Sequence, residues 1–335
     1  MKRILVTGGA GFIGSAFVRY QLRRYPDVHI VVLDKLTYAG NLDNLKEAAS
    51  DRFTFIRGDV ANREDAANAM NGCDAIAHFA AESHVDRSLA GAADFISTNV
   101  AGVNVILEEA LARGIKRILL VSTDEVYGSI ESGAFAEDAP LRPRNPYAAS
   151  KAAGELFGLA FHASHGSPVL ITRGSNTYGP YQYPEKALPL FITNAIDGQP
   201  LPIYGDGRNV RDWLFVDDHC SGIDLVLRNG EPGQIYNIAD GNEKQNNEVA
   251  RRLLELMNAS PSLIRFVRDR AGHDRRYAID SSKIRALGWT PATGWEDGMA
   301  ATVRWYKENE WWWRKIKRGD FREYYDRLYG PLLSE

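Results

Sequence analysis

The sequence predicts an α/β fold built on a doubly wound parallel sheet. In the first half of the chain, short and almost continuously apolar segments alternate with helical patterns. The apolar segments show little polar alternation, which indicates strands that are covered on both faces. A glycine-rich turn connects the first segment to the first helix. Strand–helix alternation of this kind is typical of α/β proteins with a parallel sheet.

Six apolar segments predict the strands, and four helical patterns predict the helices between them. The strand segments read "RILVTG", "IVVLD", "FTFIRGD", "AIAHFA", "RILLVST" and "VLITR", and the helical patterns cover 14–25, 63–70, 94–113 and 147–165. We therefore expect residues 1–177 to form a Rossmann-like domain.

The composition changes after Thr177, where Pro, Gly, Tyr and charged residues become frequent. Such segments are typical of ordered loops that shape a pocket. Amphipathic helices are predicted at 247–258 and 295–316, and residues 178–335 predict a smaller C-terminal substrate-binding domain. "IYNIAD" at 235–240 predicts one more strand of the main sheet, so we expect the two domains to interleave.

Composition and charge narrow the class of protein. The 335 residues are 44% hydrophobic and 25% charged with a formal net charge of −3, which gives no reason to expect nucleic-acid or membrane binding. Two cysteines exclude a disulfide framework, and the pair His162 and His165 lacks a third ligand at metal spacing, so no metal is expected. The start, "MKRILVTGG", lacks the apolar region of a signal peptide, and no stretch reaches ~18 apolar residues. These features predict a cytoplasmic protein.

The string "TGGAGFIG" lies between the first predicted strand and the first predicted helix. Gly9-x-Gly11-x-x-Gly14 fits the dinucleotide fingerprint, and Gly8 gives a second pattern with a three-residue spacing. Glycines allow a tight turn and a close approach of the backbone to a pyrophosphate at the helix N-terminus. The sequence therefore predicts a dinucleotide site at this turn.

Asp34 closes the next strand, twenty residues beyond Gly14. A carboxylate at this place accepts hydrogen bonds from ribose hydroxyls and repels a 2′-phosphate, which favours NAD over NADP. The adjacent Lys35 counts against that preference. Asp59 follows "FIRG" and is interpreted either as an adenine contact or as a strand-end cap.

Tyr147-x-x-x-Lys151 predicts a second functional element. On a helix, residues i and i+4 share a face, and Pro146 suits a helix start. The ammonium of Lys151 can then hold a ribose and lower the pKa of the phenol, which makes Tyr147 a candidate base for a sugar hydroxyl. Thr123, at the end of "RILLVST", is expected nearby.

Asp124 and Glu125 stand side by side where the strand "RILLVST" should end. Consecutive strand residues point to opposite faces, so both carboxyl groups reach one site only if the strand stops before them. Two close carboxylates disfavour each other's charge, and this raises the pKa of one of them. The pair therefore predicts an acid and a base, with two solvated carboxylates as the alternative.

Taken together, these motifs resemble those of extended short-chain dehydrogenases that act on nucleotide sugars, and most closely the dTDP-glucose 4,6-dehydratase family. The similar strings run almost end to end: "TGGAGFIGS", "DKLTYAGNL", "HFAAESHVDRS", "STDEVYG", "NPYAASKA", "SNTYGPYQYPEKALP", "LPIYGDGRNVRDWLFVDDH", "YNIADGNEKQNNEV" and "GHDRRYAID". Asp124 narrows the resemblance most, because related epimerases lack the Asp-Glu pair. Nucleotide-sugar decarboxylases and GDP-mannose dehydratases tend to have Thr-Ser-Glu there.

The resemblance implies a lyase that uses tightly bound NAD⁺ to convert dTDP-glucose into dTDP-4-keto-6-deoxyglucose in deoxysugar biosynthesis. Tyr147 would take the C4 hydroxyl proton, Glu125 the C5 proton, and protonated Asp124 would donate to the departing C6 hydroxyl. Thr123 would bind the C4 oxygen. The alternatives are a 4,6-dehydratase of another nucleotide sugar, an epimerase or decarboxylase on the same scaffold, or a non-catalytic Rossmann protein.

The resemblance also implies the residues that contact each ligand. The cofactor residues are Gly8, Gly11, Phe12, Ile13, Gly14, Asp34, Lys35, Thr37, Gly40, Asp59, Val60, Ala80, Ala81, Ser83, Asn99, Tyr147, Lys151 and Asn176. The substrate residues are Ser83, His84, Thr123, Asn176, Glu185, Lys186, Pro202, Tyr204, Arg211, Asn246, Arg270 and His273. Arg211, with Arg270 or His273, would bind the diphosphate, and Tyr204 would flank the nucleobase with Pro202.

Two residues depart from the family's usual Cys-Ser-Asn-Asn-Tyr-Gly string. Gly174 replaces the Cys and Thr177 replaces the second Asn, changes that could reshape the nicotinamide end of the site. The resemblance further implies a homodimer that pairs helices 94–113 and 147–165 across a two-fold axis.

Overall fold

The structure is a computed structural model that describes residues 1–270 and 272–334. In chain order its strands are β1 (Arg3–Thr7), β2 (His29–Asp34), β3 (Phe53–Arg57), β4 (Ala75–His78), β5 (Arg117–Thr123), β6 (Val169–Gly174), β7 (Asn176–Tyr178), β8 (Leu201–Tyr204), β9 (Val210–Phe215), β10 (Ile235–Ile238), β11 (Glu243–Gln245) and β12 (Ile264–Val267). The largest sheet is parallel throughout, in the order β10-β6-β5-β4-β1-β2-β3.

The helices cover both faces of this sheet and build the second domain. They are α1 (Phe12–Arg24), α2 (Arg63–Ala69), α3 (Val85–Ala90), α4 (Ala93–Ile96), α5 (Val103–Ala112), α6 (Pro146–His165), α7 (Ala187–Ile196), α8 (Val216–Asn229), α9 (Asn246–Met257), α10 (Ser282–Ala286), α11 (Trp295–Glu308), α12 (Glu310–Ile316) and α13 (Asp320–Ser334). A π-helical turn, Ser97–Gly102, joins α4 to α5.

Alternate side chains of each central strand enter two separate cores. On β1, Ile4 and Val6 pack with α1 and α8, whereas Leu5 packs with α2 and α5 on the opposite face. Both faces are buried, which explains why the strands read as continuous apolar runs. The predicted doubly wound parallel sheet is confirmed, with the strand order typical of a Rossmann fold.

The second part of the chain has a core of its own. Side chains of α7, α9 and α11 pack together with those of the short strands β8 and β9, and aromatic residues are prominent among them. β10 lies next to β6 at the edge of the main sheet, and α8 packs on that sheet. The chain therefore crosses between the two cores more than once. Within residues 1–270 and 272–334, no helix is long and apolar enough to cross a membrane.

The helix predicted at 295–316 is instead two helices, and this part of the prediction was wrong. Asn309 has φ −118° and ψ 40°, which ends α11 and starts α12 in a new direction. The turn buries Trp312, whose Nε1 donates to Asn44 Oδ1 at 2.8 Å. Trp312 and Trp313 are both buried in α12, whereas the neighbouring Trp311 is 49% exposed.

Candidate active site

A cleft lies at the carboxyl ends of the parallel strands, between the main sheet and the second core. Residues that follow β1 to β6 line it, together with Gln182, Tyr183 and Lys186 from the loop before α7. Open α/β sheets bind ligands at this edge because the connecting loops diverge there. The cofactor residues predicted from the sequence all line the cleft except Asn99.

The turn between β1 and α1 lies at one end of the cleft, and its conformation requires glycines. Gly8 has φ +68°, and a Cβ on it would lie 2.6 Å from the Ala80 nitrogen. A Cβ on Gly14 would lie 2.3 Å from the Gly8 oxygen, so the turn and α1 pack too closely for any side chain. The first-turn residues Phe12 and Ile13 line the cleft, and the N–H groups of a first turn have no partner within the helix. This backbone suits a pyrophosphate.

Asp34 lies at the end of β2, where the loop folds around its carboxylate. Oδ2 accepts from the Ala10 N–H at 2.9 Å and Oδ1 from the Leu36 N–H at 2.8 Å. A Cβ on Gly40 would lie 2.8 Å from Oδ1, so glycine is required at that position. The carboxylate lines the cleft with lone pairs remaining for ribose hydroxyls.

In the structure, Lys35 does not count against the predicted preference for NAD over NADP. Its Nζ forms an ion pair with Asp59 Oδ2 at 2.6 Å. The positive charge is therefore balanced by a carboxylate and is poorly placed to attract a 2′-phosphate.

At the other end of the cleft, β5 stops at Thr123 and a 3₁₀ turn, Asp124–Tyr127, follows. Both Asp124 and Glu125 line the cleft, as the sequence required for a strand that ends before them. The Thr123 hydroxyl accepts from the Glu125 N–H and donates to Asp124 Oδ1, each at 3.2 Å. The turn therefore places two consecutive carboxyl groups in one site.

Asp124 is buried, and within the described residues its Oδ2 has no hydrogen-bond partner. Burial, and after it the negative charge of Glu125, raises the pKa of Asp124 to about 8. A carboxyl group with this pKa carries a proton at neutral pH and can donate it.

Glu125 is held from two sides. Asn145 Nδ2 donates to Oε2 at 3.3 Å, and the Tyr277 hydroxyl lies 3.4 Å from the same oxygen. Asn145 also caps α6, because its Oδ1 accepts from the Ala148 N–H at 2.8 Å. The cap of the helix that carries Tyr147 thus also orients Glu125.

Tyr277 was not predicted as a site residue. Its hydroxyl lies 2.7 Å from Asp274 Oδ2 and its ring lies under the guanidinium of Arg211, 4.2 Å from ring centre to Cζ. Its one signal was that "GHDRRYAID" is among the strings that carry the family resemblance.

Tyr147 and Lys151 lie one turn apart on α6 and both line the cleft. Phe95 packs edge-on against the Tyr147 ring, with 6.4 Å between the ring centres. Lys151 Nζ donates to the Val121 carbonyl at 2.7 Å, and burial lowers its pKa to about 8.

The expected effect of Lys151 on the phenol is not met. Burial, followed by the charge of Glu125, raises the pKa of Tyr147 above the value of a free phenol. Sequence spacing indicated that the two side chains share a face, but it did not indicate how deeply both are buried. The cost of burying a phenolate outweighs the benefit of a nearby ammonium.

Among the predicted substrate residues, four line the cleft: Ser83, Thr123, Asn176 and Lys186. Lys186 Nζ donates to the Ser83 carbonyl at 2.8 Å, which connects the loops after β4 and before α7. Burial lowers the pKa of Lys186, although Glu125 and Glu185 act in the opposite direction.

Two of the predicted residues, Asn99 and His84, lie behind the residues that line the cleft. Asn99 sits in the π-helical turn, where its amide binds the backbone N–H and carbonyl of Glu82, each at 2.9 Å. His84 Nε2 lies 3.4 Å from the Glu185 carbonyl, and its Nδ1 lies 3.4 Å from the Tyr324 hydroxyl. Both side chains position the loop after β4 and do not line the cleft.

The three side chains predicted to bind the diphosphate, Arg211, Arg270 and His273, lie close together beside Tyr277. Not all of them carry a positive charge. Arg211 is 5% exposed and donates to the carbonyls of Val210 and Asp274 at 2.7 and 2.9 Å. It forms no ion pair with any described residue, whereas Arg270 pairs with Asp86 at 3.2 Å. Burial, and after it the charge of Arg270, lowers the pKa of His273 to about 4. The arginines, not His273, therefore supply positive charge.

The remaining predicted residues surround these cations. The Tyr204 hydroxyl lies 3.4 Å from Asp86 Oδ2, and Pro202 lies on the same strand, β8. Glu185 forms a 2.9 Å ion pair with Arg87. Asn246 begins α9, with its N–H donating to the Asn209 carbonyl at 3.0 Å.

His219 also lines the cleft and was missed by the sequence analysis. It lies in the first turns of α8 and touches Gly174, the last residue of β6. One signal was present, because "FVDDH" belongs to a string that was recognised but not assigned residue by residue.

Comparisons with known proteins agree with this geometry. The family model described as GDP-mannose 4,6 dehydratase matches residues 5–302. A dTDP-glucose 4,6-dehydratase from Streptomyces niveus is 50% identical over 324 residues, which cover 95% of this chain and 96% of that protein. The chain belongs to the dTDP-glucose 4,6-dehydratase family.

Solved structures support the same family. The dTDP-glucose 4,6-dehydratase DesIV from Streptomyces venezuelae, solved with NAD bound, has a TM-score of 0.92 and 54% identity, covering 94% of this chain and 100% of that one. A UDP-glucose 4-epimerase from Thermus thermophilus, in complex with NAD, has a TM-score of 0.86 but only 30% identity, covering 92% and 99%. The shared scaffold extends to epimerases, but the higher identity lies with the dehydratases.

Proposed function

We propose that the chain is a hydro-lyase that converts dTDP-glucose into dTDP-4-keto-6-deoxyglucose for deoxysugar biosynthesis. The observation that carries the proposal is the pair of neighbouring carboxyl groups, in which Asp124 has a pKa of about 8 beside Glu125. An elimination of water needs one group to remove a proton and another to donate one. This pair supplies both at neutral pH.

The cleft fits NAD⁺. Its glycine turn and the first turn of α1 suit the pyrophosphate, and Asp34 suits the adenosine ribose. When bound, NAD⁺ supplies a hydride acceptor for sugar C4 and afterwards returns the hydride to C6. We propose as its contacts the residues predicted from the sequence, with Asn99 acting through the backbone of Glu82.

Tyr147, Thr123 and Lys151 serve the oxidation at C4. Tyr147 takes the proton of the C4 hydroxyl, and Thr123 donates a hydrogen bond to the C4 oxygen. Lys151 holds the nicotinamide ribose. The positive charge of the oxidised cofactor favours the phenolate that burial otherwise disfavours.

Glu125 and Asp124 carry out the elimination. Once C4 is a ketone, the hydrogen on C5 becomes acidic, and Glu125 removes it as a proton. The electron pair of that bond forms the C5–C6 double bond, and the C6 hydroxyl departs as water with the proton from Asp124. The sugar gains no net oxidation, because the hydride lost at C4 is restored at C6 and Glu125 returns a proton to C5.

The cations beside the cleft bind the nucleotide part. Arg211 has no carboxylate partner among the described residues and Arg270 pairs with Asp86, so a diphosphate would complete their charge pairing. We propose Tyr204 and Pro202 at the nucleobase, Glu185 and Lys186 at the sugar, and Asn246 at a phosphate. His273, in the second domain of residues 178–335, and His84, in the loop after β4, would act as neutral polar groups.

We also propose a cytoplasmic homodimer. The helices expected to pair expose large apolar side chains, namely Ile96, Leu111, Leu156 and Phe157, at 58%, 40%, 56% and 41%. Such side chains on α4, α5 and α6 suit burial against a second copy. Both cysteines are free thiols, as is usual in a reducing compartment.

A substrate panel tests the proposed reaction. The enzyme would be incubated with dTDP-, UDP-, CDP- and GDP-glucose, and the products identified by mass spectrometry and by the alkali-induced absorbance of 4-keto-6-deoxy sugars. We expect loss of one water from dTDP-glucose with retention of NAD⁺, and loss of activity in Tyr147→Phe. Turnover of another nucleotide sugar without dTDP-glucose would overturn the substrate, and a C4 epimer that keeps its C6 hydroxyl would overturn the reaction.

A further inference from the structure

His219 lies where the sequence departs from the family string. A Cβ on Gly174 would lie 2.5 Å from both Cε1 and Nε2 of the His219 ring. The Thr177 Oγ1 lies 2.7 Å from His219 Nδ1. The two departures therefore meet at one side chain: Gly174 leaves space for the ring, and Thr177 orients it.

Hydrogen bonding determines which ring nitrogen carries the proton. With the single hydrogen of the Thr177 hydroxyl assigned to the Ser175 carbonyl at 3.1 Å, the Thr177 oxygen is the acceptor for Nδ1–H of His219. Burial lowers the pKa of His219 to about 4, and the ring is neutral. Nε2 therefore holds a lone pair and is an acceptor.

This acceptor is buried and unused. His219 is 2% exposed, and its Nε2 has no partner among the described residues. Ser175 also lines the cleft with a buried hydroxyl that has no partner among the described residues. An acceptor and a donor at adjacent positions complement a primary amide, which offers an N–H and a carbonyl.

The ring lies at the reacting end of the cleft. Gly174 pairs in register with Thr123, whereas Asp34 lies at the opposite end. α8 packs with α1 on one face of the sheet, and α6, which carries Tyr147, packs on the other. His219 and Tyr147 therefore reach the cleft from helices on opposite faces of the sheet.

We propose that His219 Nε2 accepts a hydrogen bond from the carboxamide –NH₂ of the nicotinamide and so orients the ring for transfer at C4. The inference rests on the proposed use of NAD⁺. In this account Ser175 donates to the carboxamide oxygen. Gly174 and Thr177 are positioning residues that act through His219.

Affinity measurements with two ligands test the proposal. Calorimetry would compare NAD⁺ with ADP-ribose, which lacks the nicotinamide, on the wild type and on His219→Leu. Loss of one hydrogen bond to a buried acceptor corresponds to about tenfold weaker NAD⁺ binding. We expect this loss for NAD⁺ with unchanged ADP-ribose affinity, and no change in the surface control His165→Leu.

Further variants keep the test decisive if His219→Leu folds poorly. In Thr177→Val the Nδ1 hydrogen loses its acceptor, and we expect a smaller loss confined to NAD⁺. His219→Gln retains an acceptor and should recover part of the affinity. Equal losses for both ligands, or no loss for NAD⁺, would overturn the inference. Failure of the wild type to bind NAD⁺ would instead overturn the proposed function.

Discussion

At the scale of single residues, Asp124 and Glu125 acquire different properties from their surroundings although they are adjacent in the chain. Asp124 is buried and its Oδ2 has no partner among the described residues, whereas Glu125 Oε2 lies 3.3 Å from Asn145 Nδ2 and 3.4 Å from the Tyr277 hydroxyl. Burial without a counter-charge favours the neutral form of a carboxyl group, and this raises the pKa of Asp124. The same residue pair in a solvated strand end would have no such division of roles.

The first prediction concerns the pH dependence of activity and stability. The pKa of Asp124 rises from 3.8 to about 8, so the donating form of the free enzyme is lost as pH rises through 8, and kcat/KM should fall there. The folded state also holds a proton that the unfolded state releases near pH 4, so this group's contribution to stability declines between pH 4 and 8.

Asp124→Asn removes that decline. The free energy of unfolding of the variant, minus that of the wild type, should increase by about 1 kcal/mol or more between pH 5 and pH 8. This change corresponds to ~2–4 °C in Tm. Urea unfolding at both pH values measures it, with the exposed Asp27→Asn as control. A stability difference that is independent of pH would contradict the raised pKa.

The second prediction separates the oxidation from the elimination. Glu125→Gln keeps the hydrogen-bonding shape of the side chain but cannot take the C5 proton. With substrate, this variant should accumulate reduced cofactor, which is visible as the NADH absorbance band. Product formation should decrease at least ~10²-fold. The exposed Glu131→Gln is the matched control. Wild-type rates of product formation in Glu125→Gln would show that another group is the base.

At the scale of secondary-structure elements, the turn between β1 and α1 depends on close packing of backbone against backbone. Gly14 touches the Gly8 carbonyl, and Gly8 touches the backbone of Ala80 at the end of β4. The first turn of α1, the turn that precedes it and the segment after β4 are therefore coupled. This packing, as well as ligand binding, therefore explains the spacing of the glycines in the sequence.

The third prediction tests that coupling with Gly14→Ala. The new Cβ would lie 2.3 Å from a backbone oxygen, so α1 must shift, at a cost of about 1–3 kcal/mol of unfolding free energy. NAD⁺ affinity should fall more than tenfold as the first turn moves. Gly91→Ala is the control, because a Cβ there meets no described atom within 4 Å. Equal stability and affinity in the two variants would refute the coupling.

At the scale of the whole molecule, the second core closes the cleft, and the exposed apolar side chains lie on the helices around Tyr147. α6 carries Tyr147 and Lys151 inward and Leu156 and Phe157 outward. A subunit interface on its outer face would therefore support the helix that positions the base.

The fourth prediction concerns that interface. The wild type should sediment as a dimer, and Ile96→Glu combined with Leu156→Glu should shift it to monomer by placing charges in the contact. Leu42→Glu, at an exposed leucine outside these helices, should leave the mass unchanged. A monomeric wild type, or a dimer that survives both substitutions, would contradict the proposed mode of association.

The sequence by itself determined the alternation of strands and helices in the first half of the chain, the glycine turn, and the adjacency of two carboxyl groups at a strand end, because periodicity and local spacing carry that information. β10 was also predictable, since its apolar run resembles the other central strands. The tertiary structure decided what depends on depth and distant contacts. Burial raised the pKa values of Asp124 and Tyr147, the helix broke at Asn309, and His219 reached Gly174 from a helix that begins at Val216. Solvation and long-range packing have no local signature in sequence, so only the folded chain could show them.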